Sequence, residues 1–179
     1  MLISLVVIAN CSIFPAAVDS QFSDKVGAKF GTCGADELTI IEGTKYVNGR
    51  SGKDVFIDKT MGLTYVQGGT GNDIFYSGLG QDIYFGGSGF DSFVFDGPFG
   101  PDQIIDLNVI HGDRLIFVTY ASGSIDEVFL RSNLATVTKD GIHLDLSCVD
   151  GFFGSTLLLR NLTQRQFKKL DIEIRVIKK

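Results

Sequence analysis

Four aspartates stand out by their spacing. Asp36, Asp54, Asp73 and Asp91 recur every eighteen or nineteen residues, each two places after a glycine: Gly34, Gly52, Gly71 and Gly89. Carboxylates set in glycine-rich turns offer only oxygen, from the side chain and from exposed turn carbonyls. Such donor sets select hard divalent cations, calcium in preference to zinc or copper. A column of carboxylates at strand spacing is unfavourable alone, because each adjacent pair repels by about 0.8 kcal/mol even at the dielectric of water. A divalent cation between neighbours reverses that sign. Four carboxylates enclose three gaps, so roughly three calcium ions are expected there. Other chemistry finds no footing. There is no HExxH, His111 and His143 lie far apart, and Ser88 has Phe90 where a G-x-S-x-G elbow needs glycine. A non-enzyme is expected.

The elements that must position these aspartates are short and repeated. Aligning residues 31–94 on their glycines gives seven nine-residue units, interrupted once by an extra Asp58. The fourth residue is always glycine (Gly34, Gly43, Gly52, Gly62, Gly71, Gly80, Gly89). The eighth is always apolar or aromatic (Leu38, Val47, Phe56, Val66, Phe75, Tyr84, Phe93). A fixed glycine marks a turn expected to need positive φ. An apolar residue flanked by two others marks a short strand with its middle side chain turned inward. Nine residues hold one turn and one strand, so two units close a flattened coil, and coils stack in parallel about 4.8 Å apart. Odd units then share one edge and even units the other. The odd edge carries all four aspartates; on the even edge the same position reads Lys45, Thr64 and Asp82, which leaves Asp82 as its one candidate anchor.

The units GGTGNDIFY and GGSGFDSFV resemble the GGxGxDxUx nonapeptide of the RTX (repeats-in-toxin, haemolysin-type) calcium-binding family. That resemblance implies an all-β fold: a parallel β-roll (β-solenoid) of nonapeptide repeats filled with calcium, here followed by a mainly β C-terminal capping region. Thr32 and Arg50 replace the second glycine in the first and third units, and units two and four are degenerate.

Charge agrees with cation binding. The net charge is −5, but residues 160–179 carry seven basic and two acidic side chains, leaving −10 on the rest. An acidic body argues against nucleic acid as a partner. Met1 to Val18 carries no charge, and with small residues at Ala16, Ala17 and Ser20 it reads as a signal peptide. Secretion follows, with calcium ions as partners, no stable membrane insertion of the mature chain, and no protein or glycan partner specified. Outside that segment Cys33 and Cys148 remain, either as one disulfide or as two buried thiols.

After Phe95 the period stops. Segment 102–118 alternates into a strand and is similar to the D-x-I-x-D-F…GD-x-I-x-L stretch that follows RTX repeats, through Asp102, Asp106, Gly112 and Asp113. Asp102 and Asp106 could ligate a further calcium, but solvated turn carboxylates are the favoured reading. Strands are expected at 135–138, 142–146, 155–159 and 171–177, with a helical turn from the N-cap Thr163. The division expected is a signal peptide (1–20), a lead-in (21–30), the roll (31–95) and a C-terminal β cap (96–179). The alternative is the C-terminal calcium-binding and export region of a larger secreted enzyme, a protease or lipase.

Overall fold

The computed structural model describes residues 27–120 and 126–177. The expected signal peptide, residues 1–20, and most of the lead-in lie outside the described residues. The protein is all-β, a parallel β-solenoid whose chain alternates between two facing sheets. The first sheet takes β1 (Ala28–Phe30), β3 (Tyr46–Asn48), β5 (Thr64–Thr70), β7 (Asp82–Ser88) and β9 (Pro101–Ile104). The second takes β2 (Glu37–Ile40), β4 (Val55–Asp58), β6 (Ile74–Tyr76), β8 (Ser92–Asp96) and β10 (Arg114–Thr119). Each strand pairs in parallel with the one a full coil away: Glu37 lies beside Val55, Val55 beside Ile74, and Ile74 beside Ser92. The spacing steps from eighteen to nineteen residues and back, because Asp58 adds one residue to its coil.

The repeat's eighth residue builds the core. Leu38, Val47, Phe56, Val66, Phe75, Tyr84 and Phe93 are all buried. A two-residue strand period sends these side chains inward while their neighbours point out. Identical rings at identical positions then stack: Phe56 on Phe75 and Phe75 on Phe93, each with centroids 4.8 Å apart and nearly parallel planes. That distance is the interstrand spacing itself.

The stacking continues past the last nonapeptide. Ile104 of β9 pairs beside Tyr84, and Arg114 of β10 beside Ser92. The stretch 102–118 is therefore two strands on opposite sheets, separated by the turn after Ile104, rather than one. A hairpin of β11 (Ala135–Thr138) and β12 (Gly141–Asp145) follows a short helix, Glu127–Phe129, that runs into a π-helical turn, Leu130–Leu134. Then β13 (Thr156–Arg160) adds in parallel to β9, and β14 (Asp171–Val176) in parallel to β10. Between them Thr163 caps the turn Gln164–Phe167 through a capping box with Gln166. Cys33 is disulfide-bonded, whereas Cys148 is free and exposed. The Cys33–Cys148 pair is not made, and the alternative of two buried thiols does not hold either.

Candidate metal centre

On the odd edge each turn leaves the first sheet and ends on an aspartate directly before β2, β4, β6 or β8. Hydrogen bonds link these aspartates vertically. Asp54 Oδ1 accepts from the backbone N–H of Asp36 at 2.8 Å, Asp73 Oδ1 from Asp54 at 2.8 Å, and Asp91 Oδ1 from Asp73 at 2.9 Å. Asp113 extends the column, its Oδ1 accepting from Asp91 N–H at 3.0 Å. One oxygen of each carboxylate is thus spent on the coil beneath. The other is not. Oδ2 of Asp54, Asp73 and Asp91 is buried without a hydrogen-bond partner. A buried, unpaired carboxylate oxygen costs several kcal/mol in principle, so the position favours a positive partner.

The surroundings supply further oxygen. A methyl group at Gly49 would lie 2.3 Å from Asp54 Oδ2 and 2.7 Å from the Gly68 carbonyl oxygen. At Gly68 it would lie 2.3 Å from Asp73 Oδ2 and 2.6 Å from the Gly86 oxygen. The orphaned oxygens of Asp54 and Asp73 therefore each share with a next-coil carbonyl a space that only glycine leaves open, while Gly86 leaves room beside Asp91 Oδ2, which a Cβ there would approach to 2.6 Å. The first coil differs: Asp36 Oδ2 is taken by the backbone N–H and hydroxyl of Thr32, at 2.6 and 2.9 Å. Among the described residues no three histidine, cysteine, aspartate or glutamate side chains gather into one metal-binding group. The donor set is a carboxylate with main-chain oxygens, and it fits calcium.

The fourth-position glycines divide. Gly52, Gly71 and Gly89 have φ of 129°, 131° and 137°, and Gly43 has 93°. Gly34, Gly62 and Gly80 do not, which corrects the expectation of positive φ throughout. At Gly80 close approach explains the residue instead, since a Cβ there would sit 2.1 Å from the Gly62 oxygen. At the second position Arg50 adopts φ 74° where Gly69 and Gly87 have 107° and 94°, so the coil keeps its course despite the substitution.

Burial, which disfavours the charged form, is the main reason the column's carboxyl groups titrate high. It pushes Asp73 up to about 7 and Asp91 up to about 6, and it raises Asp54 and Asp113 as well. Neighbouring aspartates add to the rise, and the N–H bonds between coils oppose it. Without metal, folding therefore takes up protons. The stability this contributes is full below the ordinary carboxyl range and is lost as pH rises through about 6 to 7.

Asp82, placed on the even edge by its spacing, is fully buried, and it is not alone there. Asp102 is 1% exposed, accepts from Asp82 N–H at 2.8 Å and from the Ser77 hydroxyl at 2.7 Å, and so is no solvated turn carboxylate. Burial lifts Asp82 to about 7 and Asp102 to about 8. Asp106 is exposed as expected, but it accepts from Gly86 and Gly87 N–H at 2.9 and 3.0 Å, over the last odd turn. Asp113 and Asp102 were not placed in the columns by spacing, since the loops before them lengthen the coil. The signal was available in Gly112-Asp113 ahead of an apolar strand, the same order as the repeat.

The RTX calcium-binding nonapeptide repeat, in four copies, matches residues 63–93. This stretch consists of RTX repeats. RTX nonapeptides bind calcium, so the cation suited to the odd-edge turns of this stretch, Gly68–Asp73 and Gly86–Asp91, is calcium. The matched stretch includes the even-edge turn ending at Asp82, while the coils holding Asp36 and Asp54 lie before it. No curated protein matches the chain. Among solved structures, an extracellular lipase from Serratia marcescens is similar at 25% identity and a TM-score of 0.40. That similarity covers 80% of this chain, which spans 20% of the lipase.

Proposed function

We propose that this protein is a secreted, non-catalytic β-roll whose folding is stabilised by calcium and which acts as a structural or binding module. The observation that carries the reading is the set of three buried, unpaired carboxylate oxygens, on Asp54, Asp73 and Asp91, each directed at a glycine-lined space. Bound calcium would supply the positive charge that these oxygens lack. Asp36, Asp54, Asp73 and Asp91 are the side-chain ligands in this reading, and the turns holding Gly34, Gly52, Gly71 and Gly89 give the main-chain oxygens. Asp82 anchors the even edge. The proposed organisation is a signal peptide over 1–20, a lead-in over 21–30, the roll over 31–95 and a C-terminal region over 96–179.

The non-catalytic part rests on what the described surface offers. One cleft, about 350 Å3, is lined by Lys53, Asp73, Phe90, Ser92, Arg114 and Asp171 among others. The hydroxyl there, on Ser92, accepts from Arg114 Nε at 3.0 Å. Among the described residues no helix is long and apolar enough to cross a membrane.

Extracellular calcium modules bind with Kd of about 10⁻⁴ to 10⁻³ M, so calcium at tenfold excess adds about 1.4 kcal/mol per site. The chain would then be loose where calcium is scarce and compact outside the cell. The test is isothermal titration of the chelated protein with calcium. Heat with a stoichiometry of at least the number of unpaired odd-edge oxygens supports the reading, and no binding at millimolar calcium would sink it.

A further inference from the structure

Asp58 belongs to no repeat unit. It is the residue that lengthens its coil, and it ends β4 pointing inward, at the register position that Ile40 fills with core one coil earlier. It is 7% exposed. Its Oδ1 accepts from Thr60 N–H at 2.7 Å, and its Oδ2 is buried without a partner. An extra carboxylate inside the end of a hydrophobic core is costly unless something offsets it. Thr60 and Thr64 join it to Asp82: their hydroxyls lie 3.4 Å apart, and Asp82 Oδ1 accepts from Thr64 N–H at 3.1 Å. Asp82 Oδ2 has a long contact from the Tyr84 hydroxyl, at 3.4 Å. A methyl group at Gly78 would lie 2.9 Å from Asp58 Oδ1 and 3.1 Å from the Thr60 carbonyl oxygen, so this turn too is kept open by a glycine. Among the described residues no ion pair reaches Asp58, Asp82 or Asp102.

We propose that Asp58 organises a separate divalent-cation site on the even edge, with Asp82 Oδ2 and the Thr60 carbonyl as the other donors. It rests on the calcium reading above but departs from the repeat, because its leading ligand is the inserted residue rather than a nonapeptide position. A proton is the competing occupant. The two occupants differ in readout, since only a bound cation can be replaced by a luminescent one.

Terbium, which replaces calcium and luminesces when a nearby tyrosine is excited, separates the two edges. The rings packed beside the odd-edge glycines are Phe56 and Phe75, whereas Tyr84 adjoins the even-edge carboxylates. Wild-type protein should show tyrosine-sensitised terbium emission that calcium displaces. Asp58→Asn keeps the Thr60 hydrogen bond and should remove most of that emission, with circular dichroism in calcium unchanged. Tyr84→Phe should remove it equally while the number of ions bound stays the same. That second variant serves as the deciding one if Asp58→Asn does not fold. Emission unaffected by either variant would overturn the proposal, as would a wild type that binds terbium without tyrosine-sensitised emission. A wild type that binds neither calcium nor terbium would instead defeat the calcium reading itself.

Discussion

Each aspartate from Asp54 to Asp91 divides its oxygens between two tasks, one structural and one left for a ligand. Asp73→Ala removes both. It should lose one calcium ion directly and also strand the buried N–H of Asp54, at a further cost of about 1–3 kcal/mol. Asp73→Asn keeps an acceptor for that N–H, so it should lose the ion with a smaller loss of stability. Calorimetric ion counts and urea midpoints of the two variants would separate these effects. Protonation offers a second handle. The calcium-free protein should be more stable at about pH 5 than at about pH 8, since its raised carboxyl groups carry protons only in the acid range. With calcium bound the trend should invert, because protons then compete with the metal. Far-ultraviolet circular dichroism of the chelated protein and denaturation midpoints of the calcium-loaded protein, each at the two pH values, check the sign. At this scale the column Asp36, Asp54, Asp73, Asp91 was readable from spacing alone. The burial of Asp58 was not, since a single inserted residue has no period to give it away.

The turns and strands follow the nonapeptide closely because every unit faces the same neighbours. Gly71 combines φ of 131° with a neighbour, the Gly52 oxygen, inside the space a Cβ would need. Gly71→Ala should therefore destabilise the calcium-loaded roll by about 3 kcal/mol or more. Gly34 has neither constraint, its nearest atom being 3.8 Å away, and Gly34→Ala should change stability by no more than about 0.5 kcal/mol. The sequence presents these two glycines as equivalent. They differ because Gly71 stacks on another coil and Gly34 lies in the first odd turn. Truncating the stacked ring in Phe75→Ala should cost about 3–5 kcal/mol, since it opens a cavity between Phe56 and Phe93. Guanidinium unfolding in saturating calcium measures all three.

The whole molecule is a stack whose coils share one core, and its period reaches further in space than in sequence. The next two strands after Phe95 keep the parallel pairing, but their connections lengthen to twenty and then twenty-two residues per coil. A nine-residue alignment cannot follow that, which is why 102–118 reads as one strand and is two. Strands Ala135–Thr138 and Asp171–Val176 were placed well from local alternation, while their parallel or antiparallel partners were not, since pairing depends on contacts far apart in the chain. In the absence of metal, the column of buried acids works against the aromatic core that surrounds it. Calcium removes that conflict across several coils at once, so ordering should be cooperative and not one coil at a time. Far-ultraviolet circular dichroism of the chelated protein during a calcium titration tests this most directly. A steep gain of β-structure, fully reversed by EDTA, is the expected result; a spectrum already β-rich in EDTA and unchanged by calcium would contradict it.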